Sequence, residues 1–163
     1  MKPPTRVYEI RVSFVDARAI HAVIEQQGRQ RETDATWTPE WNAVVMPDEG
    51  VVEVEKGMFQ FPLSPGRQYP AVWDIRRPRA GAFHVRHERK VSIVGWEDVE
   101  VPAGKFRALR IEAEGSYRCI DQQYSGPARN TFWYVPQLKR WVKSAYKDPQ
   151  LETGEELYFY RVQ

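Results

Sequence analysis

The chain has 163 residues, the length of one domain, which is enough to bury more than half of the surface that the unfolded polypeptide exposes. Its formal net charge of +2 is too small to favour a nucleic-acid partner, and its one cysteine, Cys119, excludes an intrachain disulfide. No apolar run is long enough for a transmembrane segment. We therefore expect one domain over residues 1–163, with residues 1–5 as a disordered start.

The first predicted element is a strand over residues 7–15. Ile10, Val12 and Phe14 alternate there with polar residues, which is the period of two that a strand with one buried face requires. Residues 17–27 fit two structures. Asp16 could cap a helix that ends at Gly28, whereas alternation of Ile20, Ala22 and Ile24 predicts a strand after a hairpin tip at 16–17. We predict the strand, for a reason given below.

Two tryptophans follow a polar stretch. Residues 29–36 are predicted to form an exposed edge strand or a loop, and Trp37 and Trp41 then flank Pro39. Aromatic rings on either side of a turn usually cap the end of a core, but they can also stack on a flat ligand. Further strands are predicted over residues 51–55 and 69–75, with a turn-bounded segment, 57–66, between them.

The central element is a hairpin that turns at residues 102–104. Pro102 suits a turn because its φ is fixed, and Gly104 can adopt the positive φ that a branched residue avoids. On the outgoing strand Leu109, Ile111 and Ala113 alternate with charged residues. The incoming strand alternates in the same way from residue 83, and Gly95 is predicted to mark a bulge.

The last part of the chain contains further strand patterns. Residues 115–124 and 131–135 are predicted to be strands joined through Ser125-Gly-Pro127, and residues 140–146 pair back after a short connection. Residues 148–154 are predicted to be a loop, and residues 157–162 a strand that closes the sheet. The fold class is therefore all-β: one curved antiparallel sheet, as a half-barrel or sandwich of about ten strands with little helix.

Three segments carry a resemblance to a known group of proteins. Residues 61–69 (FPLSPGRQY), 99–106 (VEVPAGKF) and 131–143 (TFWYVPQLKRWVK) resemble uncharacterised bacterial extracytoplasmic β-proteins of the DUF3108 and TapB2-like kind, which combine such motifs in this order. Gln137-Leu138 stands where that pattern has glycine and valine. The resemblance implies a curved antiparallel sheet, export as a periplasmic protein or lipoprotein, and an N-terminal part built of hairpins, which is why we prefer a strand over residues 20–25. It implies no activity.

The sequence contains no motif that requires a reaction. His84 and His87 project to opposite faces of a strand, so they cannot share a metal ion without a bulge. Cys119 lies in an alternating stretch and is predicted to be a small buried residue. There is no nucleophile elbow and no phosphate-binding glycine loop. We expect a non-enzymatic protein without a metal or cofactor.

The aromatic content is the feature that suggests a function. One hypothesis is that the concave face of the sheet binds an apolar or glycan-like ligand; the alternative is that the rings fill the core. A second hypothesis is an interaction module that pairs an exposed edge strand, such as residues 157–162, with an envelope protein. We expect an extracytoplasmic location if a leader precedes Met1, and a cytoplasmic one otherwise. The candidate ligand-binding residues are Trp37, Trp41, Trp73, Trp96, Trp133, Tyr134 and Trp141.

Overall fold

The computed structural model describes residues 8–26, 32–46, 50–77 and 83–161. These residues form one antiparallel sheet of eleven strands, and each strand pairs with the strands that precede and follow it in the chain. The strands are β1 (Tyr8–Val15), β2 (Ile20–Gln26), β3 (Glu32–Trp37), β4 (Ala43–Met46), β5 (Gly50–Lys56), β6 (Gln68–Arg77), β7 (Phe83–Val101), β8 (Gly104–Cys119), β9 (Tyr124–Val135), β10 (Arg140–Lys147) and β11 (Glu152–Glu156). One turn of 3₁₀ helix, Pro136–Leu138, connects β9 to β10. The predicted all-β class is confirmed.

The predicted central hairpin is formed by β7 and β8, the two longest strands. Val101 pairs with Gly104, whose φ is +136°, so the chain reverses at Pro102 and Ala103 as expected. The ladder shifts register between Ile93 and Gly95, which confirms the bulge predicted there.

The two faces of the sheet differ in chemistry. We call the face that carries Ile111 the inner face, because its apolar residues are buried, and the opposite face the outer face. The outer face of β5 to β9 carries charges, and Arg86 there contacts the carboxylates of Glu55, Asp74 and Glu88. The buried residues of the main inner-face cluster are Phe59, Tyr69, Ala71, Val91, Ile93, Leu109, Ile111, Ala113 and Tyr134.

The inner face curls on itself. Trp37 at the end of β3 contacts Trp41, and Trp41 contacts Trp141 on β10, with ring centroids 5.4 and 6.2 Å apart. Six strands separate β3 from β10 in the sheet order. Rings from such distant strands can meet only if the sheet bends toward its inner face. β1 and β11 do not pair with each other, so the sheet stays open.

A smaller apolar cluster lies on the outer face beside the central hairpin. It is built on Val99, Val101, Ala108, Val135 and Val142. Residues after β11 pack onto it: the Leu157 N–H donates to the Val142 carbonyl, and the Leu157 carbonyl accepts from the Ala103 N–H. Residues 157–160 are therefore an irregular segment against the sheet, and the prediction of a closing strand over 157–162 is wrong.

The last strand overlaps the predicted loop over residues 148–154. β11 (Glu152–Glu156) pairs with β10, and the turn before it is closed by the Asp148 carboxylate, which accepts from the N–H groups of Gln150 and Leu151. Val162 lies outside the described residues. Leu157 packs against the outer-face cluster, whereas Tyr158, Phe159 and Tyr160 are exposed.

Two other predictions are wrong. Ser125-Gly126-Pro127 does not join two strands, because β9 runs through it and the chain turns instead between Cys119 and Tyr124. Pro127 lies within β9, where it pairs with Ser116 of β8. Residues 32–36 are not an edge, since β3 lies between β2 and β4, a strand that the sequence analysis missed; residues 29–31 lie outside the described part of the chain.

The N-terminal hairpin confirms the choice of a strand over a helix. β2 pairs with β1, and the Asp16 carboxylate closes the turn between them by accepting from the N–H groups of Arg18 and Ala19. These bonds to the ionised form hold the pKa of Asp16 below its usual value. Residues 1–5, predicted to be disordered, lie outside the described residues.

Candidate functional site

The structure divides the seven predicted ligand-binding residues among separate places. Trp37, Trp41 and Trp141 meet at one end of the inner face. Tyr134 is buried in the same inner-face cluster as partner of Leu109 in the ladder. We call the end of the inner face that carries these residues the mouth.

The other three predicted residues do not join the Trp37 and Trp41 contact. Trp133 lies on the outer face, where its indole N–H donates to Glu97 and Lys143 lies 5.5 Å from its ring centroid. Trp96 pairs with Leu109 in the ladder and is largely exposed. Trp73 stacks on His87 further along the inner face.

A segment between β5 and β6 fills the mouth from within. The ring of Phe59 lies parallel to that of Trp141 at 5.3 Å and meets Phe132 edge-on at 5.0 Å, and only 4% of Phe59 is exposed. Residues 57–66 thus leave the plane of the sheet and cover its inner face. Sequence analysis recognised the turns of this segment but not the buried role of Phe59.

The buried amide of Asn42 fixes this segment. Its Oδ1 accepts from the Phe59 N–H at 2.9 Å, and its Nδ2 donates to the Phe59 carbonyl at 3.0 Å. Gly57 packs so closely on Asn42 that a Cβ at that position would lie 2.7 Å from Nδ2. Because Phe59 has no strand partner, Asn42 supplies both of the hydrogen bonds that its buried peptide groups need.

The turn that presents Trp41 is strained. Trp41 has a φ of +64°, which is uncommon for a bulky residue, and the turn is closed by the Thr38 N–H donating to the Asn42 carbonyl at 2.8 Å. The guanidinium of Arg140 lies 4.7 Å from the Trp41 ring and 4.9 Å from the Trp141 ring. Strained residues of this kind concentrate at functional sites, where the surrounding structure holds them.

A groove of about 390 Å³ opens at the mouth. Phe61, which follows the buried Phe59 by two residues, is 46% exposed and meets the Tyr134 ring edge-on at 5.8 Å. Burial raises the pKa of Tyr134, so its hydroxyl is protonated at neutral pH. The groove therefore offers aromatic walls beside one carboxylate and one ammonium group. Its lining residues are Pro39, Glu40, Phe61, Tyr134 and Lys139.

The polar side chains of the groove are those of Glu40, Tyr134 and Lys139. Its lining has no cysteine, serine or histidine. Across the described ranges, no three His, Cys, Asp or Glu side chains are grouped so that they could hold a metal ion. Cys119, the lone thiol, is buried between β7 and β9 as predicted.

Comparisons with known proteins add a structural likeness. No family model matches the chain, and no curated protein matches it. The chain resembles the crystal structure of a predicted exported protein with a YmcC-like fold from Bacteroides fragilis, with a TM-score of 0.49 and 14% identity over 93% of this chain and 85% of the other. In the part of the chain that the structure describes, no helix is long and apolar enough to cross a bilayer.

Proposed function

We propose that this protein is a non-enzymatic binding protein of the cell envelope, which takes an apolar or glycan-like ligand at the mouth of its curved sheet. The observation that carries the proposal is the meeting of two rings from distant parts of the chain at an open groove. Phe61 comes from the segment over the inner face and Tyr134 from β9, and both line the groove, while Trp41 and Trp141 lie at the same mouth.

The exposed ring of Phe61 favours a ligand. Phe59 and Phe61 belong to one short segment, yet the first is buried and the second is nearly half exposed beside the groove. A core that needed only to be filled would gain nothing from the exposed ring, whereas a flat sugar face or an acyl chain would gain apolar contact. Glu40 and Lys139 on the rim could accept and donate hydrogen bonds to hydroxyl groups.

The location in the envelope is proposed from the resemblance of residues 61–69, 99–106 and 131–143 to extracytoplasmic β-proteins. Expression of the natural gene in its own host, followed by osmotic-shock fractionation and detection with an antibody, tests it. Recovery of the protein in the periplasmic or membrane fraction is expected. Recovery in the cytoplasmic fraction alone would contradict the proposed location and leave the binding proposal to be judged by titration.

The binding proposal is tested by tryptophan fluorescence. The protein is titrated with chitotetraose, with muropeptides from digested peptidoglycan, and with palmitate below its micellar concentration. We expect one of these probes to change the emission, because Trp41 and Trp141 lie at the mouth. Phe61→Ala should lower the affinity for that probe about tenfold while leaving the unfolding midpoint close to that of the wild type.

The matched control is Tyr158→Ala, which removes an aromatic ring that is 70% exposed on the segment after β11. This variant should bind like the wild type. If no probe in the panel changes the emission or the thermal midpoint, or if both variants weaken binding equally, the mouth is not the site.

A second candidate function is edge pairing by β1. β1 and β11 are the two edges of the sheet, and they differ: β1 exposes Val12, Phe14 and Val15, whereas all five residues of β11 are exposed and three of them are glutamates. Charged edges resist pairing and apolar edges favour it. We therefore place the proposed β-addition of an extended, apolar partner segment on β1 rather than on residues 157–162.

This candidate is tested with a fluorescent peptide of the β1 sequence (YEIRVSFV) as a strand donor, followed by anisotropy. Wild-type protein should bind the peptide, and Val12→Lys should abolish binding. Thr153→Lys on the opposite edge is the control and should leave binding unchanged. Equal binding by both variants would show that the peptide does not pair with β1.

A further inference from the structure

An arginine is buried near the middle of the sheet on its inner face. Arg89 on β7 is 4% exposed, and its neighbours across the ladders are Ala71 on β6 and Gly115 on β8. Both neighbours are small, and a Cβ on Gly115 would lie 2.1 Å from the Glu88 carbonyl oxygen and 3.0 Å from the Arg89 Cα. The absence of a side chain at position 115 lets β8 lie close to the strand that carries Arg89.

Every hydrogen-bond partner of this guanidinium is neutral. Nε donates to Asn130 Oδ1 at 3.2 Å, and Nη1 donates to the backbone carbonyls of Glu88, at 2.9 Å, and Ser116. Nη2 contacts His87 Nδ1 at 3.4 Å. Among the residues that the structure describes, no carboxylate lies within 4.0 Å of Arg89, so its charge has no direct counter-ion in the fold.

Three other arginines of the central strands are arranged differently. Arg76, Arg86 and Arg129 each lie within ion-pair distance of a carboxylate, and all are more exposed than Arg89. A cation at the surface is stabilised by water, so a counter-ion adds little. A cation that is nearly fully buried lacks that water, and its desolvation costs several kcal/mol unless an anion compensates it. Arg89 is therefore more strongly desolvated than these three arginines, and among the described residues it has no carboxylate partner to offset that cost.

The side chains around Arg89 form an aromatic wall. Trp73 stacks on His87 with centroids 4.9 Å apart and an interplanar angle of 4°, and the Arg89 guanidinium lies 5.3 Å from the Trp73 ring. Burial and the Arg89 charge lower the pKa of His87 to about 4, so its ring is neutral at physiological pH. The nearby Tyr146 hydroxyl donates to Asp148 at 2.8 Å, and burial raises its pKa, so it is neutral too.

From this arrangement we infer a second binding site on the inner face, at which Arg89 receives the carboxylate or phosphate group of a ligand whose flat part packs on Trp73. In the unliganded protein, His87 occupies the position at which the anion would contact Nη2. Its contact with Nη2 is the longest that the guanidinium makes, and Trp73, His87 and Asn130 are each half-buried. Rotation of His87 would free the Nη2 N–H groups to donate charge-assisted hydrogen bonds to a carboxylate or phosphate oxygen, while Nε and Nη1 keep their present partners.

The experiment uses the full chain and three small probes: benzoate, phenyl phosphate and the neutral analogue benzamide. We expect benzoate or phenyl phosphate to quench tryptophan emission and raise the thermal midpoint, and benzamide to do neither. The stronger of the two anions shows whether carboxylate or phosphate is the preferred group. Arg89→Gln should lower the affinity for the anion that binds by about tenfold or more, because a charge-assisted pair is lost.

Two control variants complete the design. Arg118→Gln removes an exposed arginine from the outer face of β8 and should bind the anion like the wild type. His87→Ala should bind it at least as tightly as the wild type, because the displaced ring is absent. If Arg89→Gln does not fold, the wild-type comparison of the anions with benzamide still decides, since equal effects of all three probes, or no effect, would overturn the inference.

This inference is independent of the proposed function at the mouth. Phe61→Ala should leave the response to the anion unchanged, and Arg89→Gln should leave the response to the mouth ligand unchanged. Loss of anion binding in Phe61→Ala would show that the anion binds at the mouth and not at Arg89.

Discussion

The two ends of the inner face bury different chemistry on the same strands. At the mouth, β9 and β10 present Phe132, Tyr134 and Trp141 to the phenyl ring of Phe59, and the contacts are apolar. Toward the other end, the same two strands present Asn130 and Tyr146 to the charged side chain of Arg89. The first end is stabilised by removing rings from water, and the second by hydrogen bonds to a cation.

The difference shows that one face of a long strand can bury apolar side chains over part of its length and a charged side chain over another part. Along β7, Ile93 and Val91 lie in the apolar cluster, and Arg89 and His87 follow on the same face. The change coincides with the limit of the segment over residues 57–66, which covers the mouth end. On β7 the inner face therefore passes from Val91, a buried aliphatic residue, to Arg89, a buried cation, within two positions.

The largest expected effect comes from removing the ring that fills the mouth. Phe59→Ala should lower the free energy of unfolding by about 3–5 kcal/mol, because a buried aromatic side chain is replaced by a cavity. Urea unfolding followed by far-UV circular dichroism measures the change. Phe61→Ala in the same segment is the control and should cost less than about 1 kcal/mol, since its ring is exposed. Similar losses for both variants would mean that residues 57–66 do not fill the core.

The polar contact that fixes the same segment should rank second. Asn42→Ala leaves the N–H and the carbonyl of Phe59 buried without partners, at an expected cost of about 2–3 kcal/mol. Ser13→Ala removes a hydrogen bond to the His21 carbonyl at an exposed position and should be almost neutral. A loss below about 1 kcal/mol for Asn42→Ala would show that water replaces the amide.

At the other end of the inner face, the close approach of β7 and β8 can be tested with two glycines. Gly115→Ala puts a methyl group against the Glu88 backbone carbonyl and should cost about 1–3 kcal/mol. Gly126→Ala meets the Tyr117 hydroxyl, 2.9 Å from the new Cβ, and that side chain can move aside. The Gly126 variant should therefore be the more stable of the two in thermal unfolding. The reverse order would contradict the strand spacing described around Arg89.

The smallest effect concerns pH. The pKa of His87 is lowered from 6.5 to about 4 in the folded protein, so the unfolded chain takes up a proton more readily as the pH falls below 6.5. Stability from this group is fully present above pH 6.5 and is lost as the pH falls toward 4. Between pH 7.5 and 5.5 the loss should be about 1.4 kcal/mol, and His87→Gln should lack it. An equal acid loss in wild type and variant, measured by urea unfolding at both pH values, would assign the effect to other groups.

Much of the fold could be predicted because the sequence pattern of a strand involves only neighbouring residues. The alternation at Leu109, Ile111 and Ala113, and the turn at Pro102 and Gly104, depend on a few adjacent residues, and both predictions were confirmed. The wrong predictions concerned segments whose local pattern was outweighed. Residues 125–127 contain turn residues, yet pairing with β8 keeps them in a strand. Residues 157–160 are apolar and aromatic, yet after the hydrogen bonds of Leu157 to Val142 and Ala103 they continue as an irregular segment.

The candidate site was predictable as a set of residue types and not as a place. Trp37, Trp41, Tyr134 and Trp141 were identified by their aromatic character, but so were Trp96 and Trp133, which lie elsewhere. The sequence did not predict the roles of Phe59, Phe61 and Asn42. No local pattern shows that residues 57–66 cross the inner face. The turn residues on both sides of 57–66 were the signal that this segment leaves the sheet.

By itself the sequence determined that this protein forms antiparallel strands with alternating faces, because the period of two and the turn residues act over a few positions. Tertiary structure alone decided how far the sheet curls, which rings meet across it, and that Arg89 is buried with no carboxylate of the described residues within ion-pair distance. Those outcomes depend on contacts between residues far apart in the chain, such as Trp41 with Trp141 and Arg89 with Asn130, and no local pattern encodes such distances.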